Sequence, residues 1–435
     1  MSADAYGYAV DEPVLSGSVL SRIKAVGGAG IGNVLEWYDF TVYAYLAGIL
    51  STKFFVTGNE HTALLATFAV FGVGFVARPL GGLLLGLYGD KYGRKPALLL
   101  TFLMIAGSTG LMGILPTYAS IGIAAPILLV VARLMQGISA GGEWGGAASF
   151  LVEWAPPKRR GFYGSLHPFA ITLGMLLGSG MTGLLTTTLG SATIADWGWR
   201  IPFLFGALIG PLGLYVRSRV EETPIFRRAQ RHPEAVVDPN FSMTRTMLLA
   251  FAFPAVQSVV TYVFVSYFSA FTQKYAGASP TVALWSTALG TLIMGLSCLG
   301  SGWLSDKIGR KFNMLAACGM LILFSHPLLS FALSSPEPWR VVLVQSVFTA
   351  LCGLFLGSMP AALVEIFPTA RRLTGLTTAY NLQSMIFGGF APFIASWLIG
   401  QTGEPMSLSY FIMFGAIISA VALLFIPETA GKELT

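Results

Sequence analysis

Charged residues are scarce in this sequence. Asp, Glu, Lys and Arg make up 11% of its 435 residues, whereas hydrophobic residues make up 54%. A soluble domain carries about a quarter charged residues, so the composition excludes an ordinary soluble protein and predicts an integral membrane protein. The net charge of +6 does not indicate nucleic-acid binding, because most of the basic residues lie in short segments between apolar runs.

Cysteine pairs and metal-ligand patterns are also lacking. The three cysteines, Cys298, Cys318 and Cys352, lie inside apolar runs and have the spacing of neither a disulfide framework nor a metal site. The sequence contains no HExxH motif and no paired His/Asp cluster. We therefore expect no enzyme activity, no cofactor and no metal. The first twenty residues lack the basic start and apolar core of a cleaved signal peptide.

Long apolar runs fill most of the chain. A helix needs about 20 mostly apolar residues to cross a bilayer. The runs therefore predict an all-α membrane protein with twelve transmembrane helices. They lie near residues 27–50, 63–87, 97–116, 123–149, 163–188, 200–217, 246–271, 281–304, 312–333, 339–363, 373–400 and 408–427.

The chain also repeats itself. GDKYGRK, which contains Asp90, recurs as SDKIGRK, which contains Asp306, 216 residues later. LVEWAPPKRRG is echoed by LVEIFPTARRLTG, so that Glu153 corresponds to Glu365. Two signals repeated at nearly one offset indicate a duplicated unit of roughly two hundred residues. The fold is therefore expected to consist of two pseudo-symmetric six-helix bundles.

The expected organisation has five parts. We assign residues 1–26 to an amino-terminal segment, 27–217 to the first bundle, 218–245 to a linker, 246–427 to the second bundle and 428–435 to a tail. Twenty of the 26 Lys and Arg residues fall on one side of the predicted spans. The positive-inside rule then places the linker and both termini in the cytoplasm. We expect a multi-pass protein of a bacterial inner membrane that acts as a monomer, with the lipid bilayer and a small solute as its partners and no nucleic acid.

Four charged residues lie inside the predicted bilayer: Glu36 and Asp39 on the first span, Arg78 on the second and Arg133 on the fourth. Intramembrane charge is costly and usually faces a partner or a wet cavity. The depths permit an Asp39–Arg133 pair, which is either a static ion pair or a proton switch. Glu36 either relays the proton or lines the vestibule, and Arg78 either meets a substrate carboxylate or is structural.

The repeated motifs predict a latch. Charged groups at helix ends beside basic turns can form contacts that stabilise one conformation and break in another. A phosphate loop is not expected, because the spacing differs from that of a P-loop. Glu143 is expected to face water on the cytoplasmic side. The predicted gating residues are Asp90, Arg94, Lys95, Glu153, Arg160, Asp306, Arg310, Glu365 and Arg372.

These motifs resemble the major facilitator superfamily, and IGNVLEWYDF, FVARPLGG, SAGGEWGGAASFLVEWAP and WGWRIPFLFG are similar to its metabolite:proton symporter family. The resemblance covers about residues 30–434. It implies a central site reached by alternating access. Known substrates of that family include di- and tricarboxylates, shikimate-like acids, aromatic acids and zwitterionic osmolytes. In related sugar porters, residues at the positions of Asp39 and Arg133 form the coupling pair.

The predicted substrate site combines this resemblance with side-chain chemistry. The resemblance implies that spans five, seven and eleven line the pocket, and Arg offers a carboxylate a fixed fork of donors. Val263 and Pro168 depart from the sugar-porter pattern, so a sugar is not expected. His167 either binds substrate or a proton, or is structural. The predicted ligands are Arg133, Arg78, Gln136, Tyr43, His167, Gln257, Tyr262, Tyr267, Tyr380 and Asn381.

The sequence thus predicts a proton-coupled symporter that imports a small organic acid, such as a di- or tricarboxylate or a shikimate-like acid. Two alternatives stay open. One is a proton symporter for the osmolytes proline or betaine, and the other is a transporter of aromatic acids.

Overall fold

The computed structural model describes residues 19–55, 60–219, 221–231, 241–335 and 337–434. Within these ranges every regular element is helical. The segment assigned to residues 1–26 lies outside the described residues up to residue 18. In the linker, residue 220 and residues 232–240 are also outside them, and the described part contains one helix, Pro224–Arg231.

The first half consists of six long helices. Short elements join some of them: a single turn at Tyr118–Ile121, a 3₁₀ turn at Pro157–Arg159 and a π-helical turn at Ile194–Gly198. The long helices are α1 (Val19–Phe54), α2 (Glu60–Tyr92), α3 (Arg94–Ile114), α4 (Ala124–Trp154), α5 (Arg160–Thr193) and α6 (Arg200–Ser218).

The second half also has six spans, and two of them are irregular. Span α7 (Met243–Tyr275) is built from Met243–Ala252, Ala255–Tyr262, a π-helical turn Val263–Tyr267 and Phe268–Tyr275. Span α11 (Thr369–Thr402) is built from Thr369–Arg371, Arg372–Gln383, a π-helical turn Ser384–Gly389 and Ala391–Thr402. The regular helices are α8 (Pro280–Ile308), α9 (Arg310–Leu333), α10 (Pro338–Glu365) and α12 (Ser407–Leu424).

Eleven of these segments, α2 to α12, are long and apolar enough to cross a membrane. The remaining helix, α1, is 36 residues long and less apolar, because it carries buried Asn33, Glu36 and Asp39. It packs against α5, α4 and α6 in the interior of the first half. A central helix contacts little lipid, so its polar residues are compatible with a span when they have partners. The predicted twelve-helix membrane fold is confirmed.

The two halves repeat the same helix pairings. In the first half α2 packs on α4, α3 on α6 and α1 on α5. In the second half α8 packs on α10, α9 on α12 and α7 on α11, each pairing displaced by six helices. The halves meet where α2 contacts α11 and where α5 contacts α8. This arrangement is the predicted pair of pseudo-symmetric six-helix bundles.

Glycine allows the closest of these crossings. A Cβ atom on Gly137 would overlap the backbone carbonyl of Gly74, so α4 and α2 meet backbone to backbone. On α10, a Cβ on Gly353 or Gly357 would collide with the backbone of α8. Gly353 lies 216 residues after Gly137, the offset of the repeated Asp residues. The duplication therefore preserves the small-residue contacts on which membrane helices depend.

Gly137→Ala should destabilise the protein, because its new methyl group meets fixed backbone of α2 rather than a movable side chain. We expect a lower melting temperature in detergent. The matched control is Gly72→Ala on α2, where an added Cβ meets nothing within 4 Å. Equal melting temperatures for the two variants would contradict the packing described here.

Candidate functional site

The first cluster of the site surrounds Asp39 in the middle of α1. Its Oδ2 accepts a hydrogen bond from Gln136 Nε2 at 2.6 Å and lies 3.4 Å from Arg133 Nη1. Gln136 Oε1 in turn accepts from Arg133 Nη1 at 2.7 Å, and Thr109 Oγ1 lies 3.3 Å from Gln136 Nε2. The Arg133 guanidinium also stacks on the Tyr43 ring, 3.5 Å from its centroid. Asp39 and Arg133 are each 1% exposed, so this ion pair is fully buried.

A second ion pair lies beside the first. Arg78 Nη2 is 3.2 Å from Glu36 Oε1, and both residues are buried. The Arg78 guanidinium carbon lies 4.7 Å from the ring centroid of Phe40 and 4.5 Å from that of Phe75. Trp37 is at 6.0 Å. Aromatic faces attract cations at such distances. Arg78 is therefore surrounded by aromatic rings and paired with one carboxylate, that of Glu36.

The second half contributes neutral and aromatic groups to this region. Tyr262 of α7 lies 5.5 Å from Phe75 and 6.3 Å from Trp37, measured between ring centroids. Tyr380 of α11 stacks on Trp144 of α4 at 3.7 Å. The Tyr262 contacts join the halves beside the buried charges, and the Tyr380–Trp144 stack joins them farther toward the carboxyl end of α4.

Not every predicted ligand reaches this cluster. Gln257 is buried and donates to Thr261 within its own helix. Tyr267 is five residues beyond Tyr262, roughly 7.5 Å along the helix axis, and packs on Phe271. Asn381 uses its amide group to donate to the carbonyls of Gly141 and Thr377, at 2.6 Å each, so its Oδ1 is the atom left for a ligand.

His167 occupies a fully buried position on α5. Its ring centroid is 4.8 Å from that of Trp144, and its exposed fraction is 0%. Neither ring nitrogen has a hydrogen bond of good geometry, although the backbone of Trp144 lies close. A buried imidazole without partners is costly, so this side chain is available to a polar ligand.

Unsatisfied polar atoms concentrate in this region. Fifteen buried side-chain nitrogen and oxygen atoms of the described residues have no hydrogen-bond partner. Eight of the fifteen belong to predicted proton-coupling or substrate-binding residues or to Trp37. They are Trp37 Nε1, Asp39 Oδ1, Arg78 Nε, Arg133 Nε and Nη2, both ring nitrogens of His167 and Asn381 Oδ1. Buried polar groups are normally paired, so this region can take up a polar ligand or water.

The predicted latch residues meet at one end of the molecule, which we call the basic end: the turns at 91–95, 155–160, 307–311 and 366–372. Asp90, at the end of α2, accepts from the backbone N–H groups of Leu373 and Thr374 at the start of α11. Asp306, at the end of α8, accepts from the N–H groups of Gly161 and Phe162 at the start of α5. Each Asp therefore caps a helix of the opposite half, where a carboxylate is stabilised by the helix dipole.

Arginines hold these carboxylates in place. Arg94 bonds Asp90 at 3.0 Å and Glu153 at 3.4 Å, and Arg310 bonds Asp306 at 2.7 Å and Glu365 at 3.3 Å. One pairing breaks the symmetry. Glu153 also pairs across the halves with Arg372 at 2.7 Å, whereas Arg160 donates to the backbone carbonyl of Lys432 in the tail.

Sequence reasoning missed a second repeated element. Glu222 accepts from the backbone N–H of Lys95 at the start of α3, and Glu428 accepts from the N–H groups of Arg310 and Lys311 at the start of α9. The next residues, Thr223 and Thr429, donate to Glu153 and Glu365. The signal was present as a Glu-Thr pair beside a proline after the last helix of each half. Lys95 itself donates its Nζ to the carbonyl of Ser218.

The two capping glutamates differ in electrostatics. Burial raises the pKa of Glu222 above its usual range, and its backbone hydrogen bonds oppose that rise only partly. Burial would also raise the pKa of Glu428, but four backbone N–H groups outweigh it and hold the pKa below its usual range. On acidification Glu222 therefore takes up its proton, and loses its capping charge, before Glu428 does.

The expectation that Glu143 faces water was wrong. Its side chain is fully buried, pairs with Arg217 of α6 and accepts from Thr101 of α3. Arg217 reaches back to donate to the carbonyl of Gly28 at 2.7 Å. Sequence reasoning missed the pair because Arg217 lies at a helix end and was counted with the linker.

The segment Gly137–Gly141 has the GxSxG spacing of a hydrolase nucleophile. Ser139, however, lies within α4 and donates to the backbone carbonyl of Thr101. That motif requires a sharp strand-to-helix turn, so the serine has a packing role.

Two homologous six-helix halves, a buried charged centre and a latch between the halves at one end define a multi-pass membrane transporter. The profile of the Major Facilitator Superfamily matches residues 29–357. The chain belongs to this superfamily, and it is a transporter rather than an enzyme.

Similar proteins agree with this assignment. The chain is 35% identical to the ectoine/proline transporter ProP of Corynebacterium glutamicum, over 94% of this chain and 85% of the relative. It is 33% identical to the proline/betaine transporter of Escherichia coli, over 94% and 84%. Among solved structures, the proton:xylose symporter XylE has a TM-score of 0.80 at 20% identity, covering 95% of this chain and 98% of XylE. That likeness shows the shared fold.

Asp90→Asn should loosen the latch, because an amide keeps one acceptor oxygen and turns its own N–H groups toward those of Leu373 and Thr374. The negative charge of a carboxylate at a helix N-terminus contributes about 0.3 to 1 kcal/mol. We therefore expect hydrogen exchange at these two amides to accelerate by up to about fivefold in the detergent-solubilised protein. Asp196→Asn, at an exposed position far along the sequence from the latch, is the control. Unchanged protection in Asp90→Asn would refute the capping role.

Proposed function

We propose that the protein is a proton-coupled symporter that imports a zwitterionic osmolyte such as proline or glycine betaine across a bacterial cytoplasmic membrane, with its basic end in the cytoplasm. The buried Asp39–Arg133–Gln136 cluster carries the proposal. The names of the relatives, which include proline, betaine and ectoine, support the osmolyte class. They favour that alternative over the organic-acid interpretation of the sequence.

Proton coupling follows from competition for Arg133. When Asp39 is ionised, its carboxylate binds Arg133 and Gln136. A proton on Asp39 removes the charge that Arg133 faces and leaves the guanidinium without a counterion in a buried place. Because a buried unpaired charge is costly, Arg133 then binds an incoming anion strongly. Proton binding and carboxylate binding thereby support each other.

Charge balance favours a substrate of zero net charge. Glu36, Asp39, Arg78 and Arg133 sum to zero when all four are ionised. A proton brings the site to +1, and a zwitterion adds no net charge. The loaded site therefore carries one net positive charge across the membrane. An inside-negative membrane potential drives that charge inward. A dicarboxylate would leave the loaded site negative with a single proton.

The geometry supplies partners for both ends of a zwitterion. Arg133 Nε and Nη2 have no hydrogen-bond partner and present donors to a carboxylate. Trp37, Phe40, Phe75 and Tyr262 surround a neighbouring cation position that Arg78 now occupies. Recognition of quaternary ammonium by aromatic faces is a known use of the cation–π interaction.

Alternating access supplies the movement. The hydrogen bonds described between the halves cluster at the basic end, where Asp90, Asp306 and Glu153 bind helices of the opposite half. In this conformation the basic end is closed. Release of these bonds would open the site toward that end.

Purified protein in liposomes should accumulate labelled glycine betaine or proline under an imposed inward proton gradient. A protonophore should abolish the accumulation. The panel also contains citrate, 2-oxoglutarate, shikimate and phthalate as tests of the organic-acid and aromatic-acid alternatives. Accumulation of one of these acids without either osmolyte would overturn the proposed substrate. Uptake indifferent to the proton gradient would overturn the proposed coupling.

Asp39→Asn should abolish uphill accumulation and leave exchange of substrate across the membrane. The amide cannot release Arg133 by taking up a proton. The matched control is Glu404→Gln, the same chemical change at an exposed residue. If Asp39→Asn still concentrates substrate against its gradient, the proton switch is not at this residue.

A further inference from the structure

Trp144 and Tyr380 form the tightest aromatic contact found between the two halves in the described residues. Trp144 lies on α4 and Tyr380 on α11, and their rings stack with centroids 3.7 Å apart and an interplanar angle of 17°. Both side chains are buried. Nothing in the coupling scheme above uses this pair.

The stack lies between the charged centre and the latch. On α4, Trp144 follows Gln136 by eight residues and precedes Glu153 by nine, which places it roughly 12 and 13.5 Å from them along the axis. On α11, Tyr380 follows Thr374 by six residues, or roughly 9 Å, and the backbone N–H of Thr374 donates to Asp90 of the latch. A solute that leaves the site toward the basic end must therefore pass this level.

The surroundings of the stack are tightly packed. His167 packs edge-on against Trp144. On the basic side, a Cβ on Gly145 would collide with Thr377, so α4 and α11 touch without a gap. Thr377 Oγ1 donates to the carbonyl of Gly82 at 2.6 Å, and Asn381 Nδ2 donates to that of Gly141. The rings thus complete a seal made of short hydrogen bonds and glycine contacts.

We propose that Trp144 and Tyr380 are the inner gate of the transport pathway, and that Glu143 is the residue that positions Trp144. The proposal depends on the transporter class of the protein and is independent of the substrate and of proton coupling. In the closed state the stacked rings block the path toward the basic end. In the open state they separate.

Glu143 holds the fixed side of the gate. It precedes Trp144 on α4, so its side chain leaves the helix on a different face. There it pairs with Arg217 and accepts from Thr101, which ties α4 to α6 and α3. A Cβ on Gly32 of α1 would collide with both Arg217 and Glu143, so α1 packs directly on this pair.

The movable side of the gate is α11. The π-helical turn Ser384–Gly389 begins four residues after Tyr380, and such turns interrupt the regular hydrogen bonding of a helix. Tyr380 and Asn381 precede this interruption. Bending there carries Tyr380 away from Trp144 while α4 stays anchored by Glu143.

The test is chemical access to a reporter thiol placed behind the gate. Ala140 is buried on α4, one turn from Trp144 toward the site, and Ala140→Cys is made after replacement of the three native cysteines. Sealed vesicles with the basic end outside are treated with a membrane-impermeant maleimide, without substrate or proton gradient. Lys158→Cys, exposed at the basic end, reports orientation and reagent access.

Trp144→Leu and Tyr380→Leu keep an apolar side chain and remove the stacked pair. Each should speed labelling of the Ala140→Cys thiol by about two- to tenfold, the range expected for loss of an aromatic pair. The double variant should be no faster than the faster single variant, because both remove the same contact. Trp144→Phe and Tyr380→Phe retain a ring and should label slowly. Labelling of Lys158→Cys should not change.

The Glu143→Gln variant distinguishes a role of Glu143 in positioning Trp144 from a general effect on the stability of the protein. It should speed labelling of the Ala140→Cys thiol when Trp144 is present and have no further effect in Trp144→Leu. Size-exclusion chromatography confirms that each variant is folded, and the phenylalanine variants serve if a leucine variant is not. Unchanged labelling in folded leucine variants, faster labelling in the phenylalanine variants, or additive effects of the two leucine changes would overturn the gate. A failed osmolyte assay with normal gate labelling would overturn only the proposed substrate.

Discussion

The cost of burying charge in a low-dielectric interior is the constraint on which this structure depends. An isolated ion inside a membrane protein is unstable, and a paired one is tolerated when its hydrogen bonds are satisfied. Apart from the latch, the described residues of the first half include three such pairs: Asp39–Arg133, Glu36–Arg78 and Glu143–Arg217. The first two leave donor atoms unsatisfied, whereas Glu143 and Arg217 are absent from the unsatisfied atoms of the described residues. The incomplete pairs form the proposed site, and the complete pair anchors the helix beside it.

The residues that pack and cap helices are duplicated between the halves, whereas the buried ion pairs of the proposed site are not. Gly137 and Gly353, Asp90 and Asp306, and Glu222 and Glu428 perform the same task in each half. Each task is set by backbone geometry, since a helix crossing or a helix cap requires the same group wherever it recurs. The buried ion pairs of the site occur in the first half, and the second half faces them with Tyr262, Tyr380 and other neutral groups. At the level of the site, the second half can therefore move past the charges without breaking an ion pair between the halves.

Much of the fold was predictable because it rests on composition and on repeats. Twelve spans follow from long apolar runs, and two bundles follow from a register shared by Asp90 and Asp306. The approach of Asp39 to Arg133 was also predictable, because helix rise fixes the depth of each residue in the membrane. Depth restricts possible partners strongly in a protein whose helices all cross the same thin layer.

The rest depended on contacts that sequence spacing does not encode. Glu143 was expected in water because its partner, Arg217, comes from a helix 74 residues away. Asn381 was expected to bind substrate, but its amide nitrogen donates a hydrogen bond to α4 where α11 crosses it. The substrate class was uncertain for a similar reason. Two arginines suggest an acid when counted alone, but with Glu36 and Asp39 beside them the site has no net charge when all four groups are ionised.

The central claim is that substrate and proton bind together at Asp39 and Arg133. Its most direct test is to mix purified protein with glycine betaine in a weakly buffered solution and measure the change in pH. The account predicts uptake of about one proton for each betaine bound in the unmodified protein, by linkage of the two binding events. It predicts no uptake in Asp39→Asn, even where betaine still binds. Undiminished proton uptake in that variant, or betaine binding by the unmodified protein without any proton, would contradict the account.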